Sequence, residues 1–153
     1  MKKLISLIMA FVLILGVSAC RTRKVDLAEV QKHEGTLLEI HCIPSGEMTL
    51  EEFESSQYTS TVSYSGYANI PNPINPASLK MSDEDFLTIY NFCLDCYETN
   101  KYADYKEDAC DGTQYSFTYI DENGTRHLLY SGYIYGCEEL TNILNTVGNY
   151  SID

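Results

Sequence analysis

The segment YSFTYIDENGTRHLLYSGYIYG, residues 115–136, constrains this chain more than any other. Asn123-Gly124 sits between two alternating apolar runs, and that pair supplies the positive φ angles a two-residue hairpin turn requires. With those residues as the turn, Phe117 lies opposite Tyr130, Tyr119 opposite Leu128, and Asp121 opposite Arg126. One face then carries Tyr115, Phe117, Tyr119, Leu128, Tyr130 and Ile134. Ile120, Leu129 and Tyr133 join Thr118, His127 and Ser131 on the other. A slip of one residue would pair Tyr119 with His127 and mix the faces, so the pattern argues against it. A four-residue turn keeps the same faces.

The rest of the chain reads as elements that pack on this hairpin. Leu38, Ile40 and Cys42 alternate with Glu39 and His41, as in a half-buried strand. Thr49 and Glu52 form a capping box for a short helix. Residues 58–69 alternate as a second strand, and IPNPINPASLK, with three of the chain's four prolines, reads as an extended loop. Ser82 caps a helix whose stripe is Phe86, Ile89, Tyr90, Cys93, Cys96 and Tyr97, with Asp83, Glu84 and Asp85 suiting its first-turn dipole. A last helix opens at Glu138 and Glu139, buries Leu140, Ile143, Leu144 and Val147, and stops at Gly148. Thirteen tyrosines without a tryptophan favour pleated structure. The expected fold is α+β: a mainly antiparallel sheet of about four strands with two helices packed on one face. Tyr64-Ser65-Gly66-Tyr67 recurs as Tyr130-Ser131-Gly132-Tyr133, through duplication or chance, and places a glycine on each core face.

The first residues are a different kind of object. Lys2 and Lys3 precede an apolar run from Leu4 to Val17, shorter than the ~20 residues of a spanning helix, and Arg21, Arg23 and Lys24 end it. Val17-Ser18-Ala19-Cys20 resembles the lipobox of bacterial lipoproteins. That resemblance implies that residues 1–19 are a signal peptide, that Cys20 receives a diacylglyceryl group, and that the domain is anchored on the extracytoplasmic face of the membrane. Residues 20–34 then read as a tether and 35–153 as one domain. Two acyl chains hold a membrane stably where one does not.

Loss of Lys2 and Lys3 takes the formal charge from −12 to −14. From His33 onward only Lys80, Lys101, Lys106 and Arg126 are basic, so the phosphate contacts of nucleic-acid binding have no positive face to use.

Six cysteines bear on chemistry. With Cys20 lipidated, five remain. In the Asn-Gly register Cys110 lies opposite Cys137, which predicts a disulfide if the ladder persists that far. Either Cys93 or Cys96 is expected to bond Cys42, leaving the other a buried thiol; the odd count equally suits an intermolecular bond. Cys93 and Cys96 fall in the C-terminal half of their helix beside Asp95 and Glu98, where every nearby field disfavours the thiolate that redox catalysis needs. A four-thiolate zinc site from Cys93, Cys96, Cys110 and Cys137 is disfavoured because parity sends the last two to the far face of the sheet. Asp104, Glu107, Asp108 and Asp111 do not match a calcium loop. His33, His41 and His127 have no neighbouring nucleophile at a recognisable elbow. These features predict no metal and no cofactor. They favour a non-enzymatic binding module with an envelope protein as partner, over an extracytoplasmic enzyme or a thiol-exchange protein using Cys93 and Cys96.

Overall fold

The structure, a computed structural model, describes residues 25–46, 49–71, 77–109 and 111–151. In chain order its elements are α1 (Leu27–Val30), β1 (Thr36–Ile43), α2 (Leu50–Ser56), β2 (Tyr58–Ser63), β3 (Tyr67–Ile70), β4 (Ala77–Lys80), α3 (Asp83–Thr99), β5 (Gln114–Ile120), β6 (Arg126–Gly132) and α4 (Glu138–Gly148). The strands form one antiparallel sheet in the order β4-β3-β2-β1-β5-β6. The α+β class stands, but the sheet has six strands where about four were expected.

Both extra strands come from segments read differently in the sequence. Residues 58–69 are a hairpin, broken at Tyr64-Ser65-Gly66. Gly66 donates to the Ser63 carbonyl at 2.9 Å, and the Ser63 hydroxyl accepts from the Tyr67 amide at 3.1 Å. Gly66 has φ +78°, and a Cβ there would come within 2.8 Å of Lys80 Nζ, so the turn needs glycine. The end of the proline-rich loop returns as β4, pairing Leu79 with Ala68 and Ser78 with Asn69. The two Tyr-Ser-Gly-Tyr copies therefore do different work, one as a turn and the other closing β6.

The β5–β6 hairpin corrects the register. Tyr115 pairs with Gly132 and Phe117 with Tyr130, but nearer the turn Thr118 pairs with Leu128 and Tyr119 with His127. Leu129 is the extra residue of a bulge. The cause is Asp121. Its carboxylate accepts the Asn123 and Thr125 amides, both at 2.9 Å, while its own N–H reaches the Thr125 carbonyl. This closes a three-residue loop with Gly124 at φ +80° in place of the two-residue Asn-Gly turn. Leu128 is turned out, 66% exposed, and Leu129 is buried. His127 leaves the outer face for the helix side, its ring 4.3 Å from that of Tyr97.

Helices α3 and α4 cover one face of the sheet. Leu38, Ile40, Val62, Ala68, Phe117, Tyr119 and Tyr130 meet Phe86, Ile89, Phe92, Cys93, Leu140, Ile143 and Val147 in one core. Phe92 belongs to that core although the stripe read from the sequence omits it, and Tyr97 is half exposed. Ser82, the Thr49–Glu52 capping box and the stop after Gly148 are as the sequence predicts.

The expected tether is shorter than residues 20–34. Asp26 caps α1, Val30 is buried in the core, and Val25 and Leu27 pack against it. His33 lies edge-on to Tyr64 and 3.3 Å from Glu122. The free edges of the sheet are blunted: β4 is four residues long and ends in Lys80, and β6 carries the bulge.

The register has a direct consequence for stability. Leu128→Ala changes unfolding free energy by no more than about 0.5 kcal/mol. Leu129→Ala opens a cavity under the bulge and costs roughly 2–5 kcal/mol. Urea melts of the two variants check this; the reverse ranking would restore the Asn-Gly register.

Candidate functional site

The cysteines do not assemble a reactive centre. Among the described residues Cys42, Cys93 and Cys96 are free thiols, so the expected bond between Cys42 and the CLDC pair is not made. The sheet explains why. Cys42 lies between Tyr58 and Tyr115 in the ladder. Cys93 and Cys96 belong to the core cluster between sheet and helices, and Cys42 does not. Burial lifts the Cys93 thiol well above its ordinary value, and Cys96 adds to the shift. Cys96 is pushed up to about 12, first by burial and then by Glu139.

Cys110 lies outside the described residues, so its pairing with Cys137 does too. The premise for that pairing changes, however, because the ladder ends at Tyr115–Gly132. Cys137 sits at the N-cap of α4 and not on the far face of the sheet. Its thiol donates to Tyr102 Oη at 3.6 Å, and the Tyr102 hydroxyl donates to Glu139. Lys101 joins Asp95 at 3.2 Å to Glu139 at 2.9 Å, which ties the end of α3 to the start of α4. The Glu139 hydrogen bond leads the effects that raise the Lys101 ammonium above its ordinary value.

Each histidine has a local partner. His127 Nε2 lies 3.0 Å from Asp121, and His41 Nδ1 lies 2.8 Å from the Thr59 hydroxyl directly across the ladder. His33 and His127 flank one turn, the first edge-on to Tyr64 and the second stacked on Tyr119. No carboxylate touches His41 among the described residues. His127 and the backbone amides of Thr125 and Asn123 hold the Asp121 carboxyl below its ordinary value. Of the acidic run, Glu107 accepts from the Tyr105 hydroxyl and the Gly136 amide. Among the described residues no three His, Cys, Asp or Glu side chains converge as a metal site.

Two surfaces remain. A shallow groove of about 760 Å³ runs between α3 and α4, floored by Phe92 and Ile143 and edged by Asn91, Asn142 and Glu138. The other surface is the face of the sheet opposite the helices, and register defines it. Ser78, Asn69, Thr61, Glu39, Thr118 and Leu128 form a row across all six strands. Thr59, His41, Ser116 and Ser131 form a second row across four. Asn69 donates to Thr61 at 3.3 Å, and Arg126 pairs with Glu39 through both guanidinium nitrogens. That ion pair leaves the two rows without net charge when His41 is neutral.

No protein-family model matches the chain, and comparison with curated proteins and with solved structures gives no match.

Sequence reasoning found the Thr61, Ser63 and Ser65 side of residues 58–69, but missed the breadth of the polar face because it missed β3 and β4. Two signals were present. Ser-Gly interrupts the alternation at residues 65–66, and Ala-Ser-Leu-Lys resumes it at 77–80 after the last proline.

Two outcomes follow from this geometry. In the native protein at pH 7.5, Cys42, Cys93 and Cys96 resist a maleimide and react once denatured. Mass mapping reads this out, and rapid native labelling of Cys96 would contradict the buried, uncharged thiol. Asp121→Ala lowers the thermal midpoint at pH 7. Because the folded carboxyl is depressed, its contribution is present above the ordinary value and lost as pH falls through the folded one. The gap between wild type and variant therefore closes on acidification below about pH 4. A gap that widened there would refute the assignment.

Proposed function

We propose that this chain is a lipid-anchored extracytoplasmic lipoprotein whose folded domain is a non-enzymatic binding module. The observation that carries the proposal is the position of Cys20 relative to the domain. Val17-Ser18-Ala19-Cys20 closes an export-type segment, and Val25, five residues on, packs against the core.

Chain geometry limits the Cys20-to-Val25 separation to at most about 18 Å. Val25 lies beside Tyr90 and Leu94 of α3. Arg21, Arg23 and Lys24 suit the anionic surface at about 1 kcal/mol each, and the acidic body opposes closer approach. Among the described residues no helix is long and apolar enough to cross a membrane.

Support for binding over catalysis comes from the isolation of the titratable groups. Cys93 and Cys96 are buried with raised pKa, and among the described residues no histidine is hydrogen-bonded to both a nucleophile and a carboxylate.

Intact-mass analysis of the protein purified from membranes tests the anchor. Loss of residues 1–19 and gain of a diacylglyceryl mass on Cys20 are expected, with Cys20→Ser remaining an uncleaved precursor. Cleavage without added lipid mass would defeat the lipoprotein reading.

A further inference from the structure

We infer that the open face of the sheet holds an uncharged, extended polysaccharide lying across the strands. This rests on the reading of the domain as a binding module and names its partner class.

Three properties of the face carry the inference. Its residues are side chains that both donate and accept hydrogen bonds: Ser78, Asn69, Thr61, Thr118, Ser116 and Thr59. Polyhydroxylated ligands offer the same mixed donors and acceptors, so each contact can form in either direction. The second property is charge. In a strongly acidic domain the two rows hold one carboxylate, and Arg126 neutralises it. Polyanions find no cationic track here, and a polycation is drawn to the carboxylates elsewhere in the domain.

The third property is spacing. Neighbouring strands stand about 4.8 Å apart, comparable to the advance of a linear polysaccharide per pyranose ring. A chain lying along the six-strand row meets one side chain per sugar over about 24 Å, polar on the first five strands and Leu128 on β6. At one flank Tyr67 is exposed with Lys80 Nζ 5.3 Å over its ring; at the other Tyr133 and Tyr135 stack on one another, with Tyr133 bound to Gln114. The Tyr133–Tyr135 pair suits the apolar face of a pyranose.

A protein partner fits less well. Protein interfaces depend on a desolvated cluster of aromatic and aliphatic anchors, and within the two rows only Leu128 is apolar.

The test uses the mature lipidated protein in detergent, titrated calorimetrically with linear β-1,4-linked N-acetylglucosamine and glucose oligomers of two to eight units. The expected result is binding that strengthens with length up to about six units, matches the six strands, and is unchanged between 50 and 500 mM salt (about the range over which ionic contacts are screened away). Thr61→Lys and Thr118→Lys, placed mid-row on the solvent side, should each weaken it at least tenfold while keeping the wild-type thermal midpoint. Asn142→Lys, in the groove between the helices, should leave it unchanged. No binding of either series, binding lost only in Asn142→Lys, or binding only to an anionic polysaccharide (polygalacturonate) that salt abolishes would each overturn the inference. The mass of Cys20 is read separately, so failure of the anchor and failure of the ligand are distinguishable.

Discussion

The carboxylate of Asp121 decides what the hairpin is. By holding two amides of its own turn it imposes a three-residue loop, and every pairing between that loop and the bulge shifts by one residue. The shift would strand half of β6 with the wrong face inward. Leu129 absorbs the mismatch as a bulge, and beyond it Phe117 and Tyr130 return to the pairing their apolar pattern demands. Local turn chemistry and long-range burial thus want different registers, and one extra residue satisfies both. The same bulge keeps β6 from serving as an open template, so the device that reconciles the registers also protects the edge.

What was legible in the sequence follows from how local each signal is. Ser82, the Thr49–Glu52 box and most of the stripe of α3 involve residues within a turn or two of one another, and they are where the pattern places them, Phe92 and Tyr97 excepted. The hairpin was recognisable from Asn123-Gly124, but its register was not, because the side chain of Asp121 competes with the backbone preference of those two residues. The sheet's breadth was hidden for another reason. Ser65-Gly66 is the one break in an otherwise regular alternation, and a single glycine fits a bulge in a continuous strand as well as a tight reversal until β4 is seen to need a neighbour. Nothing local in residues 25–34 announces that Val30 enters the core.

The cysteines illustrate the gap between composition and placement. Their number invites a disulfide or metal reading, yet Cys42 lies outside the core cluster that holds the CLDC pair, and α4 carries Cys137 to the opposite layer from the one parity assigned. What surrounds Cys96 and Cys137 is a charge-and-hydroxyl stitch of Lys101, Asp95, Glu139 and Tyr102 joining the two long helices. The domain is thereby polarised: carboxylates and buried thiols on the helix side, neutral hydroxyls and amides on the sheet side.

The packing of α1 also fixes where this folding unit can be cut. A fragment begun at Gly35, where alternation first becomes regular, would lose Val30 from the core and the His33–Glu122 pair, and would bare the flank of α3 around Tyr90 and Leu94. The result would be an apolar scar on the domain, the kind of surface that drives self-association during expression. The smallest faithful fragment starts at Val25 or earlier, which leaves almost no slack between the folded body and Cys20.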